Sequence, residues 1–168
     1  HRELASGRAA EGTTTPDSKL GAPAINRGFS ENGHPGKPII ERMGKLDAAA
    51  YILDCYPNLV GRDKDEVVRL TVDAVRSLHA QHPATPIIIA AFSGYPNAPL
   101  SENHAAMQQK MDAAGRESLR QLEAEGIDNV RYLTPQPMNI PSDGTVDTVP
   151  LTDLGIQLLP APYPTSLR

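Results

Sequence analysis

Nucleophilic catalysis needs a hydroxyl or thiol, a base within reach and a group that orients the base. Three residues stand where the attacking group could be. Ser30 lies in GFSENG, Ser93 in FSGYP directly after an apolar run, and Cys55 at the end of YILDC. Ser30 is not in a G-x-S-x-G elbow, because Asn32 holds the final glycine position. Neither serine has an evident histidine partner in sequence, and the apolar surroundings of Cys55 suit a structural thiol better than a reactive one. The five histidines, His1, His34, His79, His82 and His104, are scattered, and no pair shows metal-ligand spacing with a carboxylate. His79 and His82 fall at a predicted helix end, where a favourable dipole interaction accounts for them. Asp143, Asp147 and Asp153 share one segment, but their neighbours do not form a calcium loop. Neither a metal nor a cofactor is expected.

The glycine-rich stretch GFSENGHPGKP invites comparison with a phosphate-binding loop and fails it. Glu31 stands where the first glycine should be, and Pro38 follows Lys37 where a hydroxyl residue should. There is no G-x-G-x-x-G, so a dinucleotide is not indicated either. The stretch reads as a turn closing a strand.

Composition narrows the partners. A net charge of −4 leaves no basic footprint for nucleic acid. No apolar run approaches the length of a membrane span; the longest is near Pro86–Phe92. With a single cysteine, no internal disulfide can form. No signal-like apolar stretch precedes the domain, so the compartment is not legible, and a secreted or periplasmic location stays open. The oligomeric state is not legible either.

Those residues need elements to position them. At 168 residues the chain fits one domain. Strands are predicted at Ala24–Asn26, Ala50–Asp54, Pro86–Ala91 and Asn129–Leu133, the third β-branched and apolar on both faces like a central parallel strand. Between them run amphipathic helices. One covers Pro38–Asp47, with Ile39, Ile40, Met43 and Leu46 inward. A second begins at Asp63, which with Glu66 resembles a capping box, and places Val68, Val72, Val75 and Leu78 at helical spacing. A third runs from about Asn103 to Glu125, carries Met107, Met111, Ala114 and Leu122 on one side, and stops at Gly126. Residues 1–23 and 160–168 are predicted irregular, the latter because LLPAPYPTSLR is proline-rich. Alternating strands and helices imply a parallel sheet covered on both faces, with ligands outside the carboxyl ends of the strands.

Three segments then line up in order. NRGFSENG follows the strand at Ala24–Asn26, YILDCYPNL ends the next, and DGTVDTVPLTDLG comes near the C-terminus. Their order and spacing resemble the SGNH/GDSL serine ester hydrolases, in particular the bacterial branch with D-C-x-P-N in its third block. The resemblance covers about Ala24–Gly155. It implies an α/β, flavodoxin-like three-layer α/β/α fold with a parallel sheet, and a serine just after the first strand. It also implies a small-molecule or carbohydrate ester as substrate, carrying a short acyl group such as acetyl. Carried over by position, Asn58 matches the oxyanion-hole asparagine, and Asp147 matches the aspartate that orients the histidine.

The departures from the pattern fall on the chemistry. Glu31 occupies the oxyanion glycine position. Pro150, three residues after Asp147, occupies the position of the general base and cannot carry a proton. If Ala5-Ser6 aligns with the residues after the first block, the nucleophilic serine would lie ahead of His1. Two readings stand: an ester hydrolase by descent with an incomplete Ser-His-Asp site, and a catalytically inactive binding or interaction domain on the same fold.

Overall fold

The computed structural model describes residues 3–6, 24–26, 35–92, 94 and 101–133. Strands β1 (Glu3–Ser6), β2 (Ala24–Asn26), β3 (Ala48–Leu53), β4 (Ile87–Ala90) and β5 (Val130–Leu133) alternate with helices α1 (Lys37–Met43), α2 (Lys64–Gln81) and α3 (Glu102–Ala124). All strand pairs are parallel, in the order β2-β1-β3-β4-β5. This is the flavodoxin-like doubly wound order. Ile52 is in register with Ile88, and Ile88 with Arg131.

The strand residues divide between two faces, as the two-residue period requires. Tyr51, Leu53, Ile87, Ile89 and Val130 join one core cluster with Val67, Val75, Leu78, Met111 and Leu122 of the helices. Ala50, Ile52 and Ile88 are buried as well but lie outside that cluster. Both faces are therefore shielded from water, which is why YIL and III are apolar without alternation. The steps β2 to β3, β3 to β4 and β4 to β5 all run in one direction across the sheet. Right-handed crossovers then bring α1, α2 and α3 to the same face, where α1 packs on α2 and α2 on α3.

β1 corrects one expectation. Residues 1–23 carry no apolar periodicity, yet Glu3–Ser6 forms the strand between β2 and β3, with Ser6 in register with Asn26 and Ile52. A strand between two others has both its backbone edges satisfied by neighbours. Backbone pairing, not a side-chain pattern, makes it a strand, and it carried no signal for that reason. Ala5 and Ser6 consequently lie inside the first strand and not beyond it. The proline-rich 160–168 segment lies outside the described residues.

The helix ends show finer differences. α1 stops at Met43, capped by Gly44, so Leu46 packs on the core from the following turn. The capping box at Asp63 does not form: the Asp63 side chain makes no cap bond, and Glu66 instead accepts a hydrogen bond from Arg62 Nη1 at 2.5 Å. α3 starts at Ser101, whose Oγ accepts from the His104 backbone N–H at 3.4 Å. It ends as predicted at Gly126, which adopts φ +80°. Gly126 N donates to Glu123 O and Ile127 N to Leu122 O, each at 3.0 Å, closing a Schellman motif.

Candidate active site

The carboxyl edge of a parallel sheet is where this fold binds ligands, and Asn58 stands there. β3 ends at Leu53, and Pro57 stops any extension. The chain then turns through a single 3-10 turn, Tyr56–Leu59. Asn58 N donates to Cys55 O at 3.1 Å, and Arg62 N donates to Leu59 O at 2.9 Å. Tyr56 and Leu59 are fully buried on either side of the half-buried Asn58. Two anchored side chains thus hold the amide between them at the sheet edge. A second latch comes from α3: Lys110 Nζ donates to Val60 O at 2.6 Å and Arg62 O at 2.9 Å. Sequence reasoning missed Lys110, since its partners are about fifty positions away and are backbone atoms.

Two groups at the turn, the Cys55 thiol and the Tyr56 phenol, keep their protons near neutral pH. Burial, with Asp54 adding to it, pushes the Cys55 thiol up to about 12. It therefore stays protonated, as a structural thiol should. Burial likewise pushes the Tyr56 phenol up to about 12, with the Thr71 hydroxyl 3.5 Å away opposing it.

The histidines separate by edge. His79 and His82 lie at the C-terminal end of α2, on the amino edge of the sheet. His79 Nδ1 is 2.9 Å from Asn129 Oδ1, and His82 Nε2 is 2.6 Å from Gly44 O. Their roles are structural bonds, more specific than a dipole interaction. His104 lies on the carboxyl edge, in the first turn of α3. Among the described residues, no group of three or more His, Cys, Asp or Glu could hold a metal, and no helix is long and apolar enough to cross a membrane. A surface groove between α2 and α3 is lined by Lys64, Arg69, Asp73, Arg76 and Glu117. Four of those five charges are paired, Arg69 with Asp73, Arg76 with Asp73 and Glu125, and Glu117 with Arg120. The groove is a solvated helix surface.

Ser30, Glu31, His34, Ser93, Asp147 and Pro150 lie outside the described residues, so the expected meeting of Asn58 with Asp147 is not among the described contacts.

A family model for the GDSL-like lipase/acylhydrolase family matches residues 13–166, nearly the whole chain. The chain belongs to that family. Among solved structures, a GDSL-like lipase from Bacteroides ovatus superposes on this acylhydrolase-family chain with a TM-score of 0.79 at 26% identity, over 94% of this chain and 50% of that one. A salicylyl-acyltransferase from a tetracycline biosynthetic pathway gives 0.68 at 14% identity, over 94% and 52%. A GDSL-like lipase from Bacteroides thetaiotaomicron gives 0.63 at 16% identity, over 94% and 82%. The last two show the shared fold alone. The chain spans about half the length of the first two of these structures. No curated protein matches it.

Proposed function

We propose that this chain is the acyl-ester-binding α/β domain of a GDSL-type hydrolase, directed at short acyl groups such as acetyl on carbohydrate, with its acid–base machinery lost. The observation that carries the reading is Asn58, held in an anchored 3-10 turn at the carboxyl end of β3. An amide donor fixed there can meet the negative charge that develops on an ester carbonyl oxygen. In a complete site a serine oxygen bonds the carbonyl carbon and its proton passes to an imidazole. The imidazole, oriented by a carboxylate, then protonates the departing alcohol. Asp147 is the candidate for that carboxylate. Pro150, in the base position, has no side-chain atom that takes a proton.

Loss of the nucleophile or base costs on the order of 10⁶ in turnover in a well-studied protease, while an oxyanion hole and binding alone retain about 10³–10⁴ over water. The specific observation favouring a binding role over an active esterase is therefore Pro150. The test is treatment with a serine-directed fluorophosphonate, alongside hydrolysis of 4-nitrophenyl acetate. The expected result is no stoichiometric label and no turnover above a surface-histidine control. Stoichiometric labelling of one serine would overturn the inactive reading and identify the nucleophile. Mapping would start at Ser6, which closes β1 beside β3, then Ser30 and Ser93, with His34 or His104 as the rescuing base.

A further inference from the structure

The turn that carries Asn58 has an unequal set of restraints. Its first half is packed: Tyr56 and Leu59 are fully buried. Its second half passes through Gly61, which is exposed and around which a Cβ would meet nothing within 4 Å. A glycine in open space leaves the backbone many conformations. Across from it, the half-buried Lys110 of α3 donates to the carbonyls on both sides of Gly61, Val60 O at 2.6 Å and Arg62 O at 2.9 Å. Burying and immobilising a lysine costs solvation and rotamer entropy, which two charge-assisted bonds offset.

We infer that Lys110 is a positioning residue for the oxyanion donor: by clamping Val60 and Arg62 to α3 it fixes the direction of the Asn58 amide. The inference rests on Asn58 being the oxyanion donor proposed above. Lys110 touches no reacting atom in this scheme. It acts through backbone two and four positions beyond Asn58. Because small misplacements of a donor are costly in an oxyanion hole, the clamp should matter for a tetrahedral anion more than for overall folding.

The experiment uses the full chain and methylphosphonate, a tetrahedral anion, as the probe. Binding is followed by the ¹⁵N-labelled side-chain amide resonance of Asn58 and by competition where that resonance is absent. Lys110→Met should weaken methylphosphonate about tenfold, less than the outright removal of an oxyanion donor costs. Lys110→Arg should recover most of the loss, and Lys110→Gln should fall between. If Lys110→Met does not fold, the Gln and Arg variants carry the same ordering. The decisive measurement is the Asn58→Ala, Lys110→Met double variant. A residue acting through Asn58 adds no further loss to Asn58→Ala alone, whereas an independent structural contribution adds in full. Additive losses, or wild-type binding by Lys110→Met, would overturn the inference while leaving the Asn58 assignment intact. Wild-type binding by Asn58→Ala would remove that assignment and the inference together.

Discussion

The two edges of the sheet are built differently. At the amino edge, polar side chains bind neighbours that are themselves structural. Tyr51 Oη donates to Leu46 O at 2.5 Å, His82 bonds Gly44 O and packs its ring against Tyr51, and Asn129 links His79 to Thr85 O. Those contacts staple the loops that feed β3, β4 and β5. At the carboxyl edge, the turn after β3 is held from beneath by buried Tyr56 and Leu59 and from the side by Lys110. There the supporting contacts come from residues that flank Asn58, and the amide itself lies half-buried between them. The amino edge ties polar side chains to structural partners, whereas the carboxyl edge fixes the turn at Asn58 by apolar packing and by bonds to its backbone.

That contrast can be broken by experiment, and the largest effect should come from alkali. Cys55 and Tyr56 sit under the carboxyl-edge turn with folded-state values near 12, against ordinary values of 9.0 and 10.0. An acid whose folded value is raised keeps its proton while the unfolded chain loses its own. The associated stability is complete below about pH 9 and declines as pH rises toward 12. For Cys55 the gap from 9.0 to about 12 corresponds to about 4 kcal/mol once fully expressed. Urea midpoints measured from pH 7 to 11 should fall steeply above pH 9, and Cys55→Ala should flatten that limb. A limb unchanged in the alanine variant would place the alkaline weakness elsewhere.

A smaller effect is expected at the amino edge. His82→Ala removes the bond to Gly44 O and the contact with the Tyr51 ring, for a loss of about 1–2 kcal/mol in chemical denaturation. Methylphosphonate binding should not change. Any loss of probe affinity beyond the loss of folded protein would mean the two edges are coupled, against the division drawn above.

The smallest effect belongs to Gly126, also on the amino edge. Its φ of +80° is strained for any side chain, although a Cβ there would meet no neighbour. Gly126→Ala should therefore cost about 1 kcal/mol through backbone strain alone, read as a modest drop in Tm. A cost several times larger would show that the Schellman closure at Ile127 carries more of the β5 approach than its geometry indicates.

What was legible in the residues is the part governed by local pattern. Val68, Val72, Val75 and Leu78 recur at helical spacing and are all buried on α2. The apolar III run became β4, and Gly126 ended α3. Asn58 was marked by the family resemblance, and the structure places it in the turn that follows β3. The strand bounds shifted by a residue or two; β4 begins after Pro86, which has no N–H to give.

Other features depended on atoms far apart in the chain. Glu3–Ser6 has no apolar alternation and became the strand between β2 and β3 because its backbone found partners on both sides. Asp63 and Glu66 have capping-box spacing, but Arg62 captured Glu66. Gly115 on α3 gave no signal of its own, yet the Tyr132 ring, bonded to Asp112, fills the space where a Cβ would stand. Lys110 reads as one more charge on a helix until folding sets it against Val60 and Arg62. Side-chain periodicity is written in neighbouring residues and survives without the fold. Backbone pairing, steric contact and side-chain-to-carbonyl bonds join distant residues, and only the assembled sheet and helices decide which of them meet.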